Sequence, residues 1–216
     1  MPSAEQPGRD CPLCPRLKAF RDDNRVKYPG FFNAPVPSFG DTGARLLVVG
    51  LAPGLKGANQ TGRPFTGDYA GDLLYATLSR HGLTRGAYAA RADDGLELVG
   101  CRITNAVRCV PPATKPLPIE EATCRRFFVS EIGSLAQLET ILALGVVAHN
   151  QVLRTLSLRL AAYPFRHGTL HALPNGLTLA DSYHCSRYNT NTGVLTEAMF
   201  DEVVGRIAKS LSPCPA

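Results

Sequence analysis

No stretch of this 216-residue chain approaches the ~20 consecutive apolar residues needed to span a bilayer, so no membrane association is expected. The N-terminus has no apolar signal core and carries early acids, so the protein should stay in the cytoplasm. Internal repeats and low-complexity tracts are missing, which removes repeat architectures. No G-x-G-x-x-G follows an apolar run, so the dinucleotide-binding fingerprint is absent. From Gly50 the spacing reaches Gly54 and Lys56 rather than G-x-x-x-x-G-K-[ST], which argues against a nucleotide triphosphatase.

Hydrophobic residues make up 44% of the chain, enough for a proper core, and one domain over residues 1–216 is expected. A formal net charge of +5 is compatible with a polyanionic partner without requiring one. Seven cysteines need a reason other than disulfides, because the cytosol keeps thiols reduced and an odd count leaves one unpaired.

Residues 1–16 are polar and proline-rich and read as irregular. Residues 44–54 form a short Leu/Val-rich run ending in a Gly/Pro turn, as a buried parallel strand does. Further strands are expected over 96–107, 140–145 and 176–184. Helices are expected over 71–83, closed by Gly82, over 118–135 with Pro118 in the first turn, and over 146–156. Thr196 starts a last helix, in which Met199, Val203, Ile207 and Leu211 share one face. Strands alternate with helices, so the fold class is α/β, with a central, mostly parallel four-stranded sheet flanked by helices. Ligands of such sheets bind beyond the strand C-terminal ends, here the polar loops 51–68, 105–118 and 184–193.

Cys11-Pro-Leu-Cys14 is a C-x-x-C pair, and Cys109 and Cys124 flank a proline-rich loop. Four thiolates suit either tetrahedral zinc or a cubane iron–sulfur cluster. The wide gap between Cys109 and Cys124 departs from a compact zinc ribbon. Cys101 lies inside a predicted strand and reads as core. Cys185 follows His184, and Cys214 sits near the end of the chain.

Three segments, GLAPGLKGANQTGRPFTGD (50–68), NAVRCVPPATKPLPIEEATC (105–124) and SYHCSRYNTNTG (182–193), resemble the uracil-DNA glycosylase superfamily. With the C-x-x-C pair, the match covers nearly the whole chain in order. Leu51 stands where the family-4 branch has an acidic residue, so the chain is identified as similar to family 5 (type B). The resemblance implies a three-layer glycosylase-like fold. It also implies a [4Fe–4S] cluster on Cys11, Cys14, Cys109 and Cys124, with residues 1–30 contributing the first pair. The activity it implies is base excision repair: removal of uracil, and of other deaminated bases such as hypoxanthine or xanthine, from double- or single-stranded DNA by a monomer. His184-Cys185-Ser186 departs from the family's His-Pro-Ser.

The residues support chemistry of that kind. Gly50, Gly54, Gly57 and Gly62 let backbone approach a ligand closely, and Ala52 lies in the same substrate loop. Phe65 is either a stacking platform for an extruded base or a core residue. Asn105 ends a predicted strand; its amide matches the carbonyl and imide of uracil, or it closes an Asx turn. His184, at another strand end, can donate to the departing base as negative charge develops, either neutral or protonated. His81, His149, His167 and His171 read as surface or core. Asp68 either orients water and stabilises an oxocarbenium-like sugar or caps the helix that begins near Tyr69. Asn59 is a second way of holding water.

Ser186, Arg187, Tyr188 and Asn189 read as a wedge that enters the duplex or as a solvated loop. Arg108, Lys115, Arg125 and Arg126 are expected on backbone phosphates. A zinc-stapled DNA-binding module and an iron–sulfur redox protein are the rival readings. The module would not need the Gly-rich loop, Asn105 or His184.

Overall fold

The computed structural model describes residues 4–211, so Cys214 lies outside the described residues. In chain order the elements are α1 (Pro15–Lys27), β1 (Leu46–Gly50), α2 (Ala58–Thr61), α3 (Tyr69–Arg80), β2 (Thr84–Arg85), β3 (Glu97–Leu98) and β4 (Cys101–Asn105). They continue with α4 (Pro118–Ser134), β5 (Thr140–Leu144), α5 (Val146–Thr155), β6 (Leu170–Ala172), β7 (Thr178–Ser182), α6 (Arg187–Asn191) and α7 (Glu197–Ser210). No helix among the described residues is long and apolar enough to cross a membrane.

The central sheet has five strands in the order β4-β1-β5-β7-β6. The first four are parallel, and β6 pairs antiparallel to β7 at the edge. A four-stranded sheet was the expectation. The fifth strand, Leu170-His171-Ala172, is too short to show any apolar run or alternation. The segment 96–107 also differs from its reading as one strand. It breaks after Leu98, so β3 pairs with β2 in a separate hairpin and only β4 joins the sheet.

β1 is buried along its whole length because both faces are covered. Leu46 and Val48 pack with Ile103, Leu142 and Ala180 against α3 and α7. Leu47 and Val49 pack with Ile141, Ala143 and Leu179 against α4 and α5. Thr196 caps α7 by accepting from Met199 N at 3.2 Å, as expected. Helix α1 was not anticipated. Its buried residues, Leu17, Arg21 and Asn24, have helical spacing, but two of the three are polar.

The register pairs Gly50 with Asn105 and Leu144 with Ser182. The C-terminal ends of β1, β4, β5 and β7 therefore share one edge, and the loops 51–68, 105–118 and 184–193 all leave from it.

Candidate active site

A cavity of about 400 Å³ opens at this edge. Ala52, Phe65, Asp68, Asn105, His184 and Ser186 all line it, with Leu51 and Thr114 at its walls. Three loops far apart in sequence thus converge because parallel strands deliver their ends to the same side.

Gly50 lies beneath rather than beside this space. A Cβ built there would stand 2.5 Å from Asn105 Oδ1 and 2.6 Å from Phe65 Cζ. The close approach it permits is between the two side chains that face the cavity. Asn105 is buried, and among the described residues its amide has no hydrogen-bond partner from the protein, which leaves it available to a ligand. Phe65 has its core reading and also faces the cavity, where a stacking role would need it. It belongs to the core cluster on the α3 side, and it lines the cavity with its ring centroid 6.0 Å from that of His184.

Asp68 caps a helix, as one of its two readings has it, and it also lines the cavity. Its Oδ1 accepts from Gly71 N at 3.2 Å and caps α3. Its Oδ2 turns toward the first loop and packs so closely on Gly57 that no side chain fits there. No other carboxylate among the described residues lines the cavity. Burial pushes the His184 imidazole below its ordinary pKa, and the charge of Asp68 partly opposes this, so His184 is neutral near pH 7.

Asn59 is a correction. It does not line the cavity; it is buried, and its Nδ2 donates to Asn33 Oδ1 at 2.9 Å. Its place is in an amide network that ties the first loop to the segment after α1, since Asn33 in turn donates to Tyr28 O at 2.7 Å.

The third loop is not irregular throughout. Ser186 caps the short α6, accepting from Asn189 N at 3.3 Å, and Asn189 Nδ2 donates to His184 O at 2.8 Å. Tyr188 is 74% exposed, and the exposed Arg187 lies over the Tyr69 ring at 5.4 Å. Cys185 is fully buried, its thiol donating to Ala70 O at 3.4 Å. A proline at that position could not make this bond, so the departure gives the loop a direct tie to the start of α3.

Arg108 is a second correction. Its guanidinium is buried, donating to Glu131 Oε2 at 2.9 Å and Ser38 Oγ at 2.6 Å, and cannot reach a phosphate. Lys115 and Arg126 are exposed, the latter paired with Glu5 at 2.8 Å, and Arg125 is half-buried.

Cys11, Cys14, Cys109 and Cys124 line a second, small cavity with Leu17, Val107 and Phe127. No three of the four sulfurs lie within 4.8 Å of one another. Tetrahedral zinc, with Zn–S near 2.3 Å, needs them about 3.8 Å apart, whereas a four-iron cubane needs a wider set. Arg108 N donates to Cys124 Sγ at 3.4 Å, and Arg21 Nη1 approaches Cys109 Sγ at 3.8 Å. Arg21 is 2% exposed, with no carboxylate in ion-pair range among the described residues, and its Nε has no partner. A buried guanidinium needs negative charge nearby, and metal-bound thiolates would supply it. The four thiols and this guanidinium therefore fit a thiolate-bound metal centre.

A buried group elsewhere holds three more potential ligand atoms, those of His149, His171 and Asp181. They are already satisfied by one another: His149 Nδ1 meets Asp181 Oδ1 at 2.6 Å, and His171 Nε2 meets Asp181 Oδ2 at 3.1 Å.

The model of the uracil DNA glycosylase superfamily matches residues 37–208. A type-5 uracil-DNA glycosylase of Thermus thermophilus is 46% identical over 199 residues, 90% of each chain. The type-5 enzyme of Mycobacterium leprae is 41% identical, over 94% of this chain and 91% of its own. That of Pyrobaculum aerophilum is 37% identical, over 92% and 88%. This chain is a type-5 member of the uracil DNA glycosylase superfamily. Among the cavity-lining residues of this superfamily member, Thr114 escaped the sequence reading, since nothing in its proline-rich loop marks which residue turns inward.

Proposed function

We propose that this chain hydrolyses the N-glycosidic bond of uracil in DNA, and of other deaminated bases such as hypoxanthine and xanthine. It acts as a cytoplasmic monomer with one [4Fe–4S] cluster on Cys11, Cys14, Cys109 and Cys124. The observation that carries the reading is the cavity, which joins an aromatic ring, a free amide, an imidazole and a single carboxylate. Membership of the glycosylase superfamily supports it.

The extruded base stacks on Phe65, and Asn105 offers both donor and acceptor to its polar edge. As the C1′–N bond breaks, its electron pair leaves with the base. A ring N–H of His184 donates to a base oxygen where that charge gathers. Asp68 stabilises the positive charge left on the sugar and orients the water that adds to C1′. Because Leu51 supplies an apolar wall, few fixed polar groups discriminate between bases, which supports a broad preference. The exposed Tyr188 fills the gap in the duplex, and Arg187 meets phosphate.

The cluster's role is structural, joining the N-terminal segment to the loop after β4. The buried, unpaired Arg21 beside Cys109 supports metal-bound thiolates there, and the family resemblance supports iron.

Single-turnover assays on duplexes and single strands carrying uracil, hypoxanthine or xanthine test the reading. Release of uracil is expected, with hypoxanthine and xanthine released as well; no release of uracil overturns it. About four irons per chain are expected in anaerobically purified protein, and stoichiometric zinc would exclude the cluster.

A further inference from the structure

Phe65 holds a left-handed backbone, φ 51°, which costs a bulky residue about 1–3 kcal/mol unless its surroundings enforce it. The enforcement is visible on both sides. Tyr75 Oη donates to Pro64 O at 2.7 Å, and Tyr88 Oη donates to Phe65 O at 3.4 Å. Arg63 Nε donates to Thr66 Oγ1 at 2.8 Å, which closes the turn across Phe65.

Arg63 is itself fixed by a partner outside the loop. Its two terminal nitrogens donate to the two oxygens of Asp94, both at 2.7 Å. The side chains of the pair are 5% and 0% exposed. Three rings, of Phe39, Tyr75 and Tyr88, surround the guanidinium with centroids 5.0–5.6 Å away. Asp94 is anchored in turn, accepting from Ala89 N at 2.9 Å and Leu96 N at 3.0 Å. It belongs to the loop between β2 and β3, the hairpin that stands apart from the main sheet. None of these groups except Phe65 lines the cavity.

A buried ion pair seldom stabilises a fold more than apolar packing of the same volume would. What a planar fork on a carboxylate adds is a fixed direction. We propose that Arg63 and Asp94 are positioning residues for base recognition: through the turn at Arg63–Thr66 they hold Phe65 at the angle from which it stacks on the extruded base. The inference rests on the stacking role given to Phe65 above. The Arg63 hydrogen bonds hold the Asp94 carboxyl far below the usual carboxylate range, so the pair stays ionised at any working pH.

The test is a cycle of single-turnover uracil release by Asp94→Asn, Phe65→Ala and the double variant, with iron content and melting temperature recorded for each. Asp94→Asn should slow release at saturating enzyme on the order of 10–100-fold, as small misplacements of a positioned group do. The concentration that half-saturates undamaged DNA should not move. Arg63→Lys, which keeps the charge without the fork, should not restore the rate. In the Phe65→Ala background, Asp94→Asn should change the rate by less than about twofold, because only coupled sites depart from additivity. An undiminished effect of Asp94→Asn in that background would mean that the pair supports the fold in general, and the proposal falls. A wild-type rate for Phe65→Ala would instead remove the stacking role itself. Should Asp94→Asn fail to fold, Tyr88→Phe, which deletes one hydroxyl, takes its place in the cycle. Its slowing should likewise vanish in the Phe65→Ala background, and an undiminished effect there overturns the proposal.

Discussion

Two of the loops that line the cavity are held in different ways. The first, residues 50–68, is bonded to distant parts of the chain: Asn59 to Asn33, Arg63 to Asp94, and Tyr75 back to Pro64. The third, residues 184–193, is tied to the start of α3 by Cys185 and Arg187 and is otherwise held by itself. Ser186 caps Asn189, Asn189 reaches back to His184, and the Thr190 and Thr192 hydroxyls bond their own turn. On the proposed function, rigid support suits the side that would recognise a base of fixed shape, and local support suits the side that would settle onto a duplex. Substitutions on the two sides should therefore fail differently, the first in chemistry and the second in binding.

The largest effect is expected where the two sides meet. His184→Ala should lose on the order of 10²–10³ in single-turnover uracil release, with fold and cluster absorbance intact. A wild-type rate would deny His184 its part in charge stabilisation. On the rigid side, Asp68→Asn should slow the chemical step on the order of 10²-fold. Asparagine caps helices as well as aspartate does, so the melting temperature should hold, and DNA binding should hold or tighten as a negative charge is lost. An unchanged rate would leave Asp68 as a cap alone.

On the adaptable side, Arg187→Ala should weaken binding to every duplex alike and reduce the salt slope by about 1. Its rate at saturating enzyme should stay at the wild-type value. A loss of rate there would erase the contrast between the loops.

The smallest effect concerns pH. Because burial lowers the His184 pKa in the fold, the ring stays neutral down through the ordinary imidazole value of about 6.5. The release rate should be flat from pH 8 to about 6.5 and bend only below it. The unfolded chain takes up this proton first as pH falls, so the same group costs stability on the acid side of that value. An inflection centred on 6.5 would place His184 in contact with solvent.

The sequence made the fold legible where burial on both faces writes itself as a Leu/Val run, as in β1, and where helices begin on a first-turn proline, as at Pro118, or a cap, as at Thr196. It hid what tertiary contacts decide. The face of α1 carries Arg21 and Asn24, so no apolar stripe announces it. β6 spans three residues and exists because β7 has a free edge. At the site, strand ends and glycines pointed to Phe65, Asn105 and His184. The inward turn of Asn59 and the burial of Arg108 depend on partners such as Asn33 and Glu131, which no local pattern names. For Asp68 the catalytic and capping readings were posed as alternatives; it caps α3 through Oδ1 and also lines the cavity, so the cap does not exclude the other role.

The strand order carries a consequence for the chain during its own synthesis. β7 lies between β5 and the edge strand β6, and it delivers His184 and Ser186 to a cavity whose other walls are made much earlier. Until that late strand has left the ribosome and paired with β5, Phe65 and Asn105 face no imidazole. A half-made chain meeting DNA holds an incomplete pocket, and base removal begins only once translation has passed the last strand of the sheet.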